Sequence, residues 1–172
     1  MEYTELIGKR DSLRNYDPDR PVPEEVLRRI LDAGRIAPSA HNNQPWKFIL
    51  LSSPELLSKV KMCYQREWIR DAPHILIVAG LRNEAWIREY DGYNSVETDA
   101  AIALTHIILA AANEGVGTCW IMAYNPFALR EALRLGDNYQ IFGITPLGYP
   151  KQGYQRTAEK KRKQMEDVVE FL

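Results

Sequence analysis

The sequence predicts an α+β domain, a sheet flanked by helices, in place of a doubly wound Rossmann fold. Three observations carry this. Helix and strand signals alternate along all 172 residues. The run ILIVAGL, positions 75–81, is continuously apolar and reads as a strand buried on both faces. Finally, no strand is followed by a glycine-rich turn into a helix, the turn a Rossmann domain needs.

The elements follow in order. Glu5 to Lys9 suggest a short helix, and the polar stretch Arg10–Asp19 a loop. Pro23 opens a helix as its first residue, with Glu24 and Glu25 in its positive first turn. Val26, Leu27, Ile30, Leu31 and Gly34 form its inner face, and Pro38 stops it. Trp46 to Ser52 read as a strand, and Ser53-Pro54-Glu55 caps a helix through about Gln65. Asn94 with Glu97 resembles a capping box for a long helix, about Val96 to Asn113, apolar on most sides and ended by Gly115. Cys119 to Met122 suggest a short strand. Asn125-Pro126 starts a further helix that Gly136 closes, and Gln140 to Leu147 form the last strand before a charged tail. The length suits one domain over residues 1–172.

Composition narrows the function. Apolar residues make up 45% and charged residues 26%, with a net charge of −1. That balance reads as globular and gives no reason to expect nucleic acid or an anionic membrane as partner. The opening MEYTELIGKR lacks the apolar core of a signal peptide, and no stretch reaches the roughly 18–20 apolar residues of a span. A cytoplasmic location is the expectation. Cys63 and Cys119 lie far apart in apolar patterns and read as buried free thiols. Gly115 and Gly117 lack the third glycine of a dinucleotide fingerprint, since position 120 is Trp. No P-loop, no zinc-ligand spacing and no Ser/His/Asp set appears, so no metal site is expected. His41 and His74 are scattered, and His106 inside an apolar helix reads as a satisfied core histidine. A chain without its own nucleophile or metal can still be an enzyme if a cofactor brings the chemistry.

Three segments have the character to hold one. In an extended loop Arg10, Ser12 and Arg14 share a face, where two guanidinium forks and a hydroxyl suit a phosphate; a solvated basic turn would look alike. Residues 37–46, APSAHNNQPW, set small and amide side chains between two prolines. They suit hydrogen bonding to a polar ring edge or a ribityl chain, or an ordinary loop. The run Lys160-Lys161-Arg162-Lys163 precedes Met165, Val168, Val169 and Leu172, an i, i+3, i+4, i+7 stripe that a partner subunit could cover. Between two apolar elements, Arg82 to Glu97 carry Trp86, Tyr90 and Tyr93. They read as a surface loop with tucked aromatics, or as a mobile cover whose aromatics, helped by Trp68, stack on flat acceptors.

Together these segments resemble the nitroreductase family of flavoproteins. The R-x-S-x-R at 10–14, the A-P-S-x-x-N-x-Q-P-W at 37–46, the central TDAAIALTHIILAAANEGVGTCWI, and ITPLGYP followed by KKRKQMEDVV occur in order with compatible spacing. The resemblance implies a nitroreductase-like α+β sandwich. Its sheet would be mixed, mainly antiparallel and four- or five-stranded, in an intertwined homodimer with FMN in each interface cleft. Carried over by position, Arg10 and Ser12 would contact the FMN phosphate side, and Arg14 the pyrimidine edge. Pro38, Ser39, Ala40 and Asn42 of the other subunit would line the ring. Lys160 and Arg162 would close on the phosphate, and Gln65 would meet the pyrimidine edge. Met122, Ala123 and Tyr124 would lie near flavin N5 and O4, with Tyr124 also facing the substrate.

The implied activity passes hydride from NAD(P)H through FMN to a small oxidised acceptor, such as a nitroaromatic or a quinone, by a ping-pong route. Two departures stand out. Asp11, within the phosphate-side set, sits where members often carry a basic or small residue. The chain is also shorter than well-studied members, which bears on substrate range. A flavin-fragmenting or dehalogenating enzyme of the same fold, a non-enzymatic FMN-binding protein, and an interaction domain without cofactor stay open.

Overall fold

The computed structural model describes residues 2–155 and 160–172. Its helices are α1 (Tyr3–Lys9), α2 (Glu24–Arg35), α3 (Pro54–Lys61), α4 (Val96–Asn113) and α5 (Pro126–Leu133). Its strands are β1 (Trp46–Leu51), β2 (His74–Leu81), β3 (Gly117–Thr118) and β4 (Tyr139–Gly148). The strands form one sheet in the order β1-β2-β4-β3, and every pair is antiparallel. Among the described residues, the parallel component of the expected mixed sheet is a single bridge, Ser12 to Thr118.

The apolar run of β2 has a direct cause. Leu76 and Val78 face α2 and α4 in one core, with Ile30, Leu104 and Ile107. Ile75 and Ile77 face α3 and α5 in the other, with Leu57, Val60, Leu129 and Ile144. Successive side chains point to opposite faces of a strand, so a strand covered on both sides must be apolar at every position. Each such fully buried Ile or Leu contributes about 1.5–3 kcal/mol.

Several boundaries differ from expectation. Pro23 sits at the N-cap of α2, one residue before the helix. Helix α3 stops at Lys61, short of Gln65, and the chain turns so that the Cys63 carbonyl accepts the Asn125 amide at 2.9 Å. Ser95, not Asn94, caps α4. Asn94 Oδ1 accepts from the Val96 amide, while the Glu97 carboxylate accepts from Gln140 Nε2, so no capping box forms. Arg134 ends α5 in the left-handed conformation (φ 51, ψ 42), two residues before Gly136. The expected strand Cys119–Met122 reduces to one bridge, Ile121 to Ile144; in the register shared with the Thr118–Leu147 pair, Cys119 lies opposite Pro146, which has no N–H to give the ladder. A Cβ added at Gly143 would meet Trp120 Nε1 at 2.7 Å.

Helix α4 buries one face, with Val96, Ala100, Ala103, Leu104, Ile107 and Ala111. Ala101, Ile102, His106 and Leu109 on its other side remain half-exposed, so His106 is not a core histidine. Cys63 and Cys119 are buried free thiols, as expected. No helix among the described residues is long and apolar enough to cross a membrane.

Candidate functional site

The basic loop leaves α1 at Arg10 in extended backbone (φ −52, ψ 130). It runs beside β3: Ser12 bridges Thr118, and the Leu13 amide donates to the Thr118 carbonyl at 2.8 Å. Leu13 sits directly on Gly117, where a Cβ would lie 2.2 Å from its methyl group, so glycine is what admits the loop this close. Tyr16 is fully buried and its hydroxyl donates to the Leu13 carbonyl at 2.9 Å. These anchors turn Leu13 inward and leave Ser12 and Arg14 facing the buried Cys119 thiol, with Arg10 beside them. Burial pushes that thiol above its ordinary range, and Arg14, Ser12 and Arg10 oppose the shift.

Arg10 and Arg14 make no ion pair with any described carboxylate. Lys160 reaches the same loop, donating to the Gly8 and Arg10 carbonyls. Arg162 does not. It is exposed and donates to the neighbouring Lys161 carbonyl at 2.8 Å. Asp11 turns to the other side of the loop, lining a cavity of about 190 Å3 with Lys9, Arg10, Gly115 and Pro150.

The second segment starts beyond α2 and is strained. His41 (φ 52), Asn42 (φ 56) and Gln44 (φ 52) are all left-handed, a conformation that costs a non-glycine residue about 1–3 kcal/mol. Surrounding bonds hold it. The Ala40 amide donates to Asp99 Oδ1 at 2.9 Å, and the Gln44 amide to Ser39 Oγ at 2.9 Å. Asn43 Nδ2 donates to the Glu84 carbonyl at 3.1 Å. His41 through Gln44 are all exposed. Polar side chains on strained, exposed backbone suit contact with a ligand outside the chain's own core.

The two segments do not meet within one chain. Ala40 is tied to Asp99 near the start of α4, and the basic loop lies beside Ala112 and Gly115 at its end. Thirteen helical steps separate Asp99 from Ala112, about 20 Å. The segments also lie at opposite edges of the sheet, before β1 and beside β3, about 14 Å apart across three strand spacings. No single flat ring fits against both.

The aromatic segment is a braced hairpin and not a loose cover. Ile87 bridges Asn94, the Arg88 amide donates to the Tyr93 carbonyl at 2.8 Å, and the Ser95 amide to the Trp86 carbonyl at 2.9 Å. Arg88 holds Asp91 bidentately at 2.8 and 2.6 Å and lies over the Tyr93 ring. That guanidinium, with the Tyr93 amide, lowers the Asp91 carboxyl to about 2. Tyr93 also bonds Thr98 through its hydroxyl. Trp86 stacks on His41, ring centres 5.4 Å apart, while Tyr90 stands 98% exposed at the tip.

Trp68 is remote from this hairpin. It packs under the basic loop against Tyr16 and Tyr64, in a short turn that precedes β2. Gln65 is exposed beside that turn, and Met122 and Ala123 are exposed beyond β3. Tyr124 is half-buried. Its hydroxyl donates to the Ile141 carbonyl at 3.0 Å, and burial raises its pKa. Two residues went unread as site elements: Asp99, the buried one of two acids in the first turn of α4, and His41, which looked like any loop polar residue. The acid at an inward-facing position of α4 was the available signal.

A sheet covered by helices on both faces, with a basic loop at one edge and a strained polar loop at the other, is an α+β sandwich. The nitroreductase family model matches residues 7–62 and 60–149, and the chain belongs to that family. A protein of Archaeoglobus fulgidus that carries the name NADH dehydrogenase/NAD(P)H nitroreductase is 33% identical over 87% of this chain and 86% of its own. Among solved structures, a nitroreductase family protein from Clostridium difficile superposes with a TM-score of 0.91 at 32% identity, covering 99% of this chain and 98% of its own. An FMN-dependent nitroreductase from the same species superposes with a TM-score of 0.81 at 26% identity, covering 96% of each chain.

Proposed function

We propose that this chain is an FMN-dependent NAD(P)H oxidoreductase that works as a homodimer and reduces a small oxidised acceptor. The observation that carries the reading is the separation of the two loops. The basic loop and the strained loop lie at opposite ends of α4, and the side of α4 bearing Ile102, His106 and Leu109 is largely apolar and only half covered by its own chain. Two copies packed antiparallel through that side would bring the basic loop of one against the strained loop of the other, twice over, as a two-fold axis requires.

The donor set fits FMN. Arg10, Arg14 and Ser12 form two guanidinium forks and a hydroxyl on one face, and charge-assisted bonds from such forks are roughly twice as strong as neutral ones. Arg10 and Ser12 would hold the phosphate side, with Lys160 fixing the loop's backbone. Arg14 would meet the pyrimidine edge, where its charge favours the reduced, anionic form. Pro38, Ser39, Ala40 and Asn42 of the other copy would line one ring face and exclude water there. Gln65, Met122, Ala123 and Tyr124 border the approach, with the Trp86 and Tyr90 hairpin beside the strained loop. When bound, FMN supplies hydride acceptance and donation, so no protein nucleophile is required.

The test is anaerobic addition of NADH, then NADPH, to the FMN-loaded protein, followed by a nitroaromatic or a quinone. Bleaching by a nicotinamide and recovery with the acceptor is expected, with parallel double-reciprocal lines in steady state. Loaded protein that neither nicotinamide bleaches would favour an FMN-binding protein without this activity.

A further inference from the structure

Behind the strained loop lies a buried acid to which the reading above gives no task. Asp99 sits in the first turn of α4 and is 1% exposed. Its Oδ1 accepts the Ala40 amide at 2.9 Å, and its Oδ2 accepts the Ser95 hydroxyl at 2.7 Å. A carboxylate taken out of water is costly unless its oxygens are matched, and both are. Ala40 is the residue at which the chain enters the left-handed run His41, Asn42 and Gln44. Besides backbone bonds within the segment, from Asn42 to Ser39, Asn43 to Ala40 and Trp46 to Gln44, the other side-chain ties on that run, through Ser39, Asn43, Gln44 and the His41–Trp86 stack, come from exposed or half-exposed side chains. The Asp99–Ala40 bond is therefore the one made to a buried, charge-bearing acceptor. Strained backbone persists where its surroundings over-determine it.

We propose that Asp99 is a positioning residue for the cofactor. By gripping the Ala40 amide it sets the backbone of Pro38–Gln44 in the form that meets the flavin ring of the other subunit. The proposal rests on the reading of that loop as flavin-lining. Asp99 touches no ligand and acts through one peptide bond. What it must supply is an acceptor of the right shape at the right place. The amide oxygen of Asn can do so, and the methyl group of Ala cannot.

The experiment compares the apo forms of wild type, Asp99→Asn and Asp99→Ala by two readouts: FMN dissociation constant from flavin fluorescence quenching, and hydrogen exchange over residues 38–44. Asp99→Ala should weaken FMN by at least about tenfold, the loss of one bond to a charged group, and should speed exchange over the loop. Asp99→Asn should stay within about threefold of wild type and keep the loop protected. Ala40→Pro deletes the same N–H from the other side, and Ser39 already has the extended backbone that a following proline requires (φ −142, ψ 161). It carries the test if Asp99→Ala does not fold, with a matching loss in affinity. Where both fold, the double variant should lose no more than either single one.

Wild-type affinity and protection in Asp99→Ala would overturn the proposal. So would an Asn variant as weak as the Ala variant, or additive losses in the double variant. If wild type itself binds no FMN, the cofactor reading fails, while the exchange readout still decides whether Asp99 holds the loop.

Discussion

Arg10 and Arg14 stand out at the scale of single residues because they are cations facing a buried thiol without a described carboxylate partner. If Arg10 serves a phosphate, Arg10→Ala should weaken FMN by roughly ten- to a hundredfold and leave riboflavin, which lacks the phosphate, nearly unaffected. Arg162→Ala should do little, since that side chain is turned to Lys161. Paired titrations of the two flavins check both statements. His74 gives a pH signature. Its Nε2 accepts the Val22 amide at 3.0 Å, which requires a lone pair there, so Nδ1 carries the proton and bonds Ser52 Oγ at 2.7 Å. Burial lowers its pKa from the ordinary 6.5. The unfolded chain therefore takes up a proton before the folded chain does. Stability is unaffected by His74 above pH 6.5, falls as pH drops through it, and levels off once the folded imidazole also protonates. Chemical denaturation of wild type and His74→Gln between pH 8 and 5 should show this slope in wild type and a flatter profile in the variant, about what one titrating group accounts for. Arg10, Ser12 and Arg14 were legible from their alternation. The partner of Asp99 was not, because a hydrogen bond spanning fifty-nine positions of sequence leaves no local pattern.

The hairpin of residues 82–94 carries the prediction at the scale of elements. It reads from sequence as a polar stretch with aromatics, and nothing local reveals that Arg88–Asp91 and Tyr93–Thr98 would pin it or that Trp86 would stack on His41. Trp86→Ala should shift acceptor preference by several-fold, about 1 kcal/mol for a lost aromatic pair, with FMN affinity and reduction by nicotinamide nearly intact. Acceptor panels run beside FMN titrations decide this, and a large loss of FMN affinity would place Trp86 in the cofactor's own support. Strands β1, β2 and β4 and helices α2, α4 and α5 were legible because each buries a periodic or continuous apolar face. Strand β3 was misplaced. Cys119 and Ile121 alternate inward like strand residues, but Pro146, opposite Cys119 in the register of β4, offers the ladder no N–H, a signal that lies in the partner strand and not in the run itself. The C-terminal stripe Met165, Val168, Val169 and Leu172 has helical spacing, yet it forms one short turn at Met165–Asp167 and stays exposed. Spacing alone does not make a helix where the chain has nothing of its own to pack on.

In the whole molecule, the two loops proposed to share one flavin are held apart by the single chain. The half-exposed apolar side of α4 and the exposed C-terminal stripe are surfaces that a monomer would leave to water, and a second copy would bury both. Flavin binding and dimerisation are then one event seen twice, and separating them would dismantle the reading. Sedimentation equilibrium of the FMN-loaded protein, followed in the flavin's visible absorbance, tests this directly. The flavin should sediment with a particle of twice the 19.8 kDa chain, at about one flavin per chain. Flavin distributed with a particle of one chain mass, or left in solution free of protein, would contradict it.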